Sequence, residues 1–248
     1  MRKLTLTFLA IVALTAFTFA QEDESYTMFD NTRLVVKTDR YKEFGKAMAN
    51  HNKTYHNEGP YHANVWSVSV GEDAGQIIWS MGPCTYTEHD GRPSGKEHME
   101  DWLYNVMPNV KYIDESNFWK MDKDRSYNPE GKGSTKLSIR IFDIEDYQSY
   151  RFKELLKKVV EVYSEKKYEW TFGTYWSQFE VNADEDVAIV FGFDKWAWFD
   201  EDRKFKNDFE EVHGEGSWQK FREELRGTIK GSKGEVWELI PELSGDGE

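Results

Sequence analysis

The sequence predicts an α+β chain made of two successive β-α-β-β-α-β units, and three observations lead there. The segment around Val65-Trp66-Ser67 recurs around Tyr175-Trp176-Ser177. Trp66 and Trp176 lie 110 residues apart, as do Gly82 and Gly192. That spacing is too long for a solenoid repeat and suits two copies of a small domain. Strand-type and helix-type patterns then follow one another in the same order in both halves. Finally, a stretch rich in Asn, Pro, Gly and Ser (126–134) lies between the halves and reads as a linker.

In the first unit, placed at 31–125, Arg33 to Lys37 reads as a strand. Asp39 stands as the cap of a helix with Tyr41, Phe44, Ala47 and Met48 on its apolar stripe. Asn57-Glu58-Gly59-Pro60 breaks the chain. Two strands, Ala63 to Val70 and Gln76 to Tyr86, flank the turn Glu72-Asp73-Ala74-Gly75. Ser94 opens a helix carrying Met99, Trp102, Leu103 and Val106, stopped by Pro108, and Asn117 to Met121 closes the unit.

The second unit, placed at 135–243, repeats the order. Lys136 to Phe142 is a strand and Glu145 to Lys166 a helix. Thr171 to Val181 and Val187 to Trp198 are strands around the turn Asn182-Ala183-Asp184-Glu185. Ser217 to Ile229 is a helix, Glu235 to Ile240 a strand, and 244–248 reads as a disordered tail.

Each unit covers one sheet face with helices and leaves the other bare. The two bare faces are expected to bury each other, sheet to sheet. Ile77-Ile78-Trp79 and Val187 to Phe191 are apolar on both faces, as strands covered on two sides should be.

The ends and the charge restrict the setting. Met1-Arg2-Lys3, an apolar run from Leu4 to Phe19, and Thr18-Phe19-Ala20 have the form of a secretory signal cleaved after Ala20, with a flexible start over 21–30. A secreted or periplasmic protein is expected. The net charge is −13, which opposes nucleic acid, and no later run is apolar enough for an integral membrane protein. The single cysteine, Cys84, allows no internal disulfide and reads as a buried structural thiol.

In element order and repeat, over Asn31 to Leu243, the chain resembles the dimeric α+β barrel superfamily of ferredoxin-like units. That superfamily includes antibiotic-biosynthesis-type monooxygenases and stress-responsive barrel proteins. The resemblance implies an intrachain pseudo-dimeric barrel in a monomeric chain, with ligands between a sheet and its helices or inside the barrel.

Residues suited to such a ligand site are His62, Asn64, Trp66, Trp79, Trp102 and Trp176. Five of the six histidines and the cysteine fall in the first unit, so a site is expected there. The leading expectation is non-enzymatic: a barrel binding a small, partly apolar or aromatic ligand, or a protein partner, without a cofactor.

The alternative is a monooxygenase, cofactor-free or heme-degrading. Heme-degrading members of the superfamily place an Asn on the first strand, and a Trp and a heme-ligating His on the second helix. Asn31 and Trp102 match that pattern, but the ligand should follow the Trp, whereas His98 precedes it by a turn. His51, His56 and His62 have no helical metal-ligand spacing and read as solvated or capping residues, so no metal is expected. A surface row of Trp for sugars is a third possibility.

Overall fold

A computed structural model describes residues 26–129, 133–179 and 185–246. The segment expected to be a signal, residues 21–25, most of the 182–185 turn and the last two residues lie outside the described residues. The first half contains β1 (Met28–Val36), α1 (Tyr41–Tyr55), β2 (Ala63–Val70), β3 (Ile77–Cys84), α2 (Tyr86–Asp90), α3 (Lys96–Asp101) and β4 (Val110–Met121). The second contains β5 (Lys136–Ile144), α4 (Ser149–Lys166), β6 (Gly173–Ser177), β7 (Val187–Phe193), α5 (Phe205–His213), α6 (Ser217–Arg226) and β8 (Ile229–Leu239).

The β-α-β-β-α-β order holds in both halves, with α2 and α5 as unforeseen additions. α2 has a capping box that could have been read from Thr85 and Glu88: the Thr85 side chain accepts from the Glu88 amide, and Glu88 accepts from the Thr85 amide. Elsewhere the ends shift. β1 starts at Met28, inside the stretch expected to be flexible. β4 begins at Val110 rather than Asn117. The β7 strand stops at Phe193, where a 3₁₀ turn over Trp196–Asp200 takes over. The cap position of α1 is Arg40, not Asp39, and makes no side-chain cap.

All eight strands are antiparallel to their neighbours. Their order is β1-β3-β2-β8-β5-β7-β6-β4, and β1 also pairs with β4, so the sheet returns on itself. The halves therefore meet edge to edge, through β2 with β8 (Val68 opposite Trp237) and β4 with β6 (Trp119 opposite Ser177). This differs from the expected stacking of two separate sheets. Pairing the edges satisfies the backbone groups that open edges would leave free.

Strand alternation divides the apolar residues between two faces. Trp66, Ile78, Trp119, Ile139, Ile141 and Trp237 pack together on the inner face. Leu34, Val65, Trp79 and Met81 face outward and pack against Phe44 and Met48 of α1. In the second half Phe152 and Leu156 of α4 cover Ile144 and Val187.

The C-terminal end is a correction to the expected disordered tail. Ser244 is buried; its hydroxyl accepts from the Val65 amide at 3.0 Å, and the Gly245 amide donates to Ala63 at 2.9 Å. A Cβ on Gly245 would collide with the His56 carbonyl, so only glycine allows this approach. Ser126, in the expected linker, is likewise buried and accepts from the Thr174 amide.

Candidate functional site

The inner face encloses a cavity of about 170 Å³. That is close to the roughly 150 Å³ of an apolar cavity that accepts benzene. Every strand contributes to its wall, which is mainly Phe29, Trp66, Trp119, Tyr175, Trp237 and aliphatic residues of β5 and β7. Toward Asn64, Leu137, Tyr175 and Val190 it adjoins a wider depression lined also by Ser134, Thr135 and Gly173.

The opposite end is charged. Register explains why: Arg33 on β1 lies opposite Glu115 on β4, and Asn31 opposite Ser80 and Asn117. The Arg33 guanidinium is 3.1 Å from Glu235, 3.5 Å from Asp73 and 3.9 Å from Glu115. Trp237 donates to Glu235 at 2.6 Å. Lys233 pairs with Glu185 and Asp73. Four carboxylates thus share two cations.

The imbalance shows in Glu115, whose carboxyl is pushed up to about 7 by burial and by the Glu185 charge, against the pull of Arg33. Asn31 Oδ1 and Glu115 Oε1 are buried with no hydrogen-bond partner among the described residues.

On the outer face of the same strands lies a second polar group. His51 and Asn52 sit on the inward stripe of α1, and His56 caps that helix. α3 continues through a π turn (Trp102–Val106), with the Met107 amide bonded to the Trp102 carbonyl, instead of the plain helix expected to Pro108. Such wide turns often occur at functional sites.

This segment brings His98 and Trp102 to 4.8 and 5.1 Å, ring to ring, from His51. His51 Nδ1 is 2.8 Å from Asp101 Oδ2, His56 Nδ1 is 3.0 Å from the Tyr61 carbonyl, and His56 Nε2 is 3.1 Å from His98 Nε2. Burial holds all three imidazoles below their usual range, His56 down to about 3. Asn52, fully buried, accepts from Trp79 Nε1 and donates to Leu243.

The sequence-derived candidates divide between these places. Asn64 and Trp66 line the inner cavity, as does Asn31. Trp79, Trp102 and His98 border an outer cavity of about 280 Å³. The sheet therefore separates Asn31 from His98 and Trp102. His62 lies apart, 3.2 Å from Asp246, and Trp176 donates to Asp122 at the surface of the second half.

Neither His51 nor His56 is solvated, contrary to expectation: both are interior, although His56 does hold the cap position of α1. Among the tryptophans only Trp196 is largely exposed, so a surface row of Trp is not formed. Cys84 is buried and its thiol is pushed up to about 11 by burial, with the Asp30 and Glu88 charges adding to it, which suits an inert thiol. His89, on the helix that follows it, pairs with Asp30 at 3.0 Å and not with this thiol. Arg33, Glu115, Glu185 and Glu235 escaped the sequence reading. Arg33 stands as the one cation within an otherwise largely apolar strand, and that was the available signal.

The fit of heme to His98 can be judged on geometry. Its Nε2 faces His56 Nε2, and its Nδ1 is buried. Nε2 is engaged with His56, so heme ligated through that nitrogen does not fit the arrangement, while Nδ1 has no hydrogen-bond partner among the described residues.

No protein-family model and no curated protein matches the sequence. Solved structures do resemble the fold. A "putative monooxygenase" from Lactobacillus acidophilus NCFM is 9% identical, with 88% of this chain and 94% of that one covered at a TM-score of 0.50. An anthrone oxidase-like protein is 9% identical over 88% and 92%, at 0.55. Chlorite dismutase from Candidatus Nitrospira defluvii is 8% identical over 90% and 95%, at 0.53. At such identities the likeness speaks for the α+β fold alone.

Proposed function

We propose that this protein binds a small, partly apolar or aromatic molecule in the inner cavity, as an intrachain pseudo-dimeric barrel formed by a duplicated unit. One observation carries the reading: an aromatic-walled cavity ends in buried acceptors, Asn31 Oδ1 and Glu115 Oε1, that lack partners among the described residues. Leaving such groups unpaired costs about 1–3 kcal/mol each. A ligand of one ring or similar bulk, carrying an N–H or O–H donor, would satisfy them while its body displaces water from the apolar wall. A secreted or periplasmic location, from the leader, belongs to the same proposal.

The test is a titration of aromatic amines, phenols and short apolar acids, followed by tryptophan fluorescence, since Trp66, Trp119 and Trp237 all face the cavity. Donor-bearing ligands should quench the wild type, and Ala188→Leu, which fills the cavity, should abolish the response while keeping the far-ultraviolet spectrum. No response to any ligand, or one unchanged in Ala188→Leu, would overturn the proposal.

A second reading is that the bound molecule is oxidised, as the names of the monooxygenase and anthrone oxidase-like neighbours suggest. Glu115 favours it, because a carboxyl near 7 at the charged end of an aromatic-walled cavity is poised to take a proton from a phenolic substrate. Oxygen uptake with quinol-type substrates, lost in Glu115→Gln, would support it; none in the wild type would remove it.

A further inference from the structure

We propose that His51, His56 and His98 form a site for one divalent transition-metal ion of the zinc class, separate from the inner cavity. One ring nitrogen of each lies within 4.8 Å of the others. Metal–nitrogen bonds of about 2.0–2.1 Å place tetrahedral ligands roughly 3.4 Å apart. His56 Nε2 and His98 Nε2 already stand at 3.1 Å, so closure needs a shift of up to about 1.4 Å in His51 or in the half-exposed α3 segment.

The hydrogen bonds behind the rings support the assignment. His56 Nδ1 donates to the Tyr61 carbonyl, which leaves Nε2 with its lone pair directed at the cluster. His51 Nδ1 bonds Asp101, and its Nε2 is buried without a partner among the described residues. Such carboxylate–histidine and carbonyl–histidine pairs are how proteins orient metal-binding imidazoles.

Asp101 itself is anchored by Asn105, at 2.7 Å. Its negative charge offsets part of the ion's charge. His56 Nε2 presents its lone pair, so His98 Nε2–H donates across the 3.1 Å contact, and that proton leaves Nε2 when the ion binds.

Three neutral histidines leave a fourth position open, as in zinc sites that hold a water or a substrate atom. The adjoining cavity is also lined by Thr32, Arg92 and Ser116. Arg92 disfavours a cation on its own and favours an anionic fourth ligand, such as hydroxide or a carboxylate.

The experiment uses tag-free, chelator-treated protein, titrated with zinc by calorimetry and with cobalt by visible absorption. One ion per chain should bind, with the intense bands of tetrahedral cobalt. Asp101→Asn should weaken binding about 10–100-fold. His98→Ala should weaken it by at least about 100-fold, as loss of a direct ligand costs more than loss of its orienting partner. His98 is the least buried of the three, so this variant disturbs the core less than His51→Ala does. Absence of binding, or a stoichiometry and affinity that His98→Ala leaves unchanged, would overturn the site. So would a cluster whose only role is the His56–His98 hydrogen bond, seen as lower stability in His98→Ala with no metal dependence in either protein.

Discussion

The two polar groups of this protein lie back to back on strands β1 and β3, yet they are opposite in chemistry. The inner one is a charged cluster in which buried carboxylates outnumber cations, and it draws on both halves of the chain: Arg33 and Glu115 from the first, Glu185, Lys233 and Glu235 from the second. The outer one is a set of neutral imidazoles taken from the first half alone. Burial acts on both, but it disfavours whichever form is charged. It therefore raises the Glu115 carboxyl to about 7 and lowers the imidazoles of His51, His56 and His98. One sheet thus separates an acid whose titration is raised from bases whose titration is lowered.

The largest effect should come from the inner cluster. Arg33→Met leaves Glu235, Asp73 and Glu115 without their shared cation and should cost about 3–5 kcal/mol at pH 8, measured by urea unfolding. A cost under about 1 kcal/mol would mean that water reaches these groups freely.

The pH response comes next, and its sign differs between the regions. Glu115 keeps its proton to about pH 7 when folded, against 4.5 for an ordinary glutamate. The stability it confers is complete below pH 4.5 and is lost as pH rises through about 7. The histidines do the reverse: their contribution is present above about 6.5 and is lost as pH falls. In the wild type these slopes oppose each other, so a variant must separate them. Glu115→Gln should gain up to roughly 3 kcal/mol at pH 8 and remove the Glu115 part of the slope. Parallel pH profiles for the two proteins would refute the placement of Glu115.

Beneath the histidines, Asn52→Ala strands the Trp79 indole N–H and the Leu243 carbonyl, at about 1–3 kcal/mol in thermal or chemical unfolding. If the loss is negligible, the outer group is more open than its burial indicates. The smallest effect is expected at the surface of the same region. Lys96 and Glu100 on α3 pair at 3.6 Å with both side chains largely exposed, so Lys96→Ala should change stability by no more than about 0.5 kcal/mol.

Much of the frame was legible in the chain because it rests on local signals. The apolar spacing through Phe44 and Met48 identifies α1, and the turn Glu72 to Gly75 separates β2 from β3. The histidines were legible as a concentration in one half but not as a group. His51 and His56 invite a partner nearby in sequence, and His62 was the nearest. The actual third member is His98, which reaches them because α3 crosses α1 on the sheet. Asn31 and Trp102 could be read as partners for the same reason: sequence spacing does not reveal which side of a sheet a residue meets.

The sequence by itself determined most of the order of elements and the half that holds five of the six histidines, since hydrophobic period, turn residues and composition are properties of neighbouring residues. Only the tertiary structure decided that Arg33 meets Glu115 and Glu235, and that Asn31 faces inward while His98 lies outside. Those pairings depend on strand register, and a one-residue slip turns every side chain to the other face.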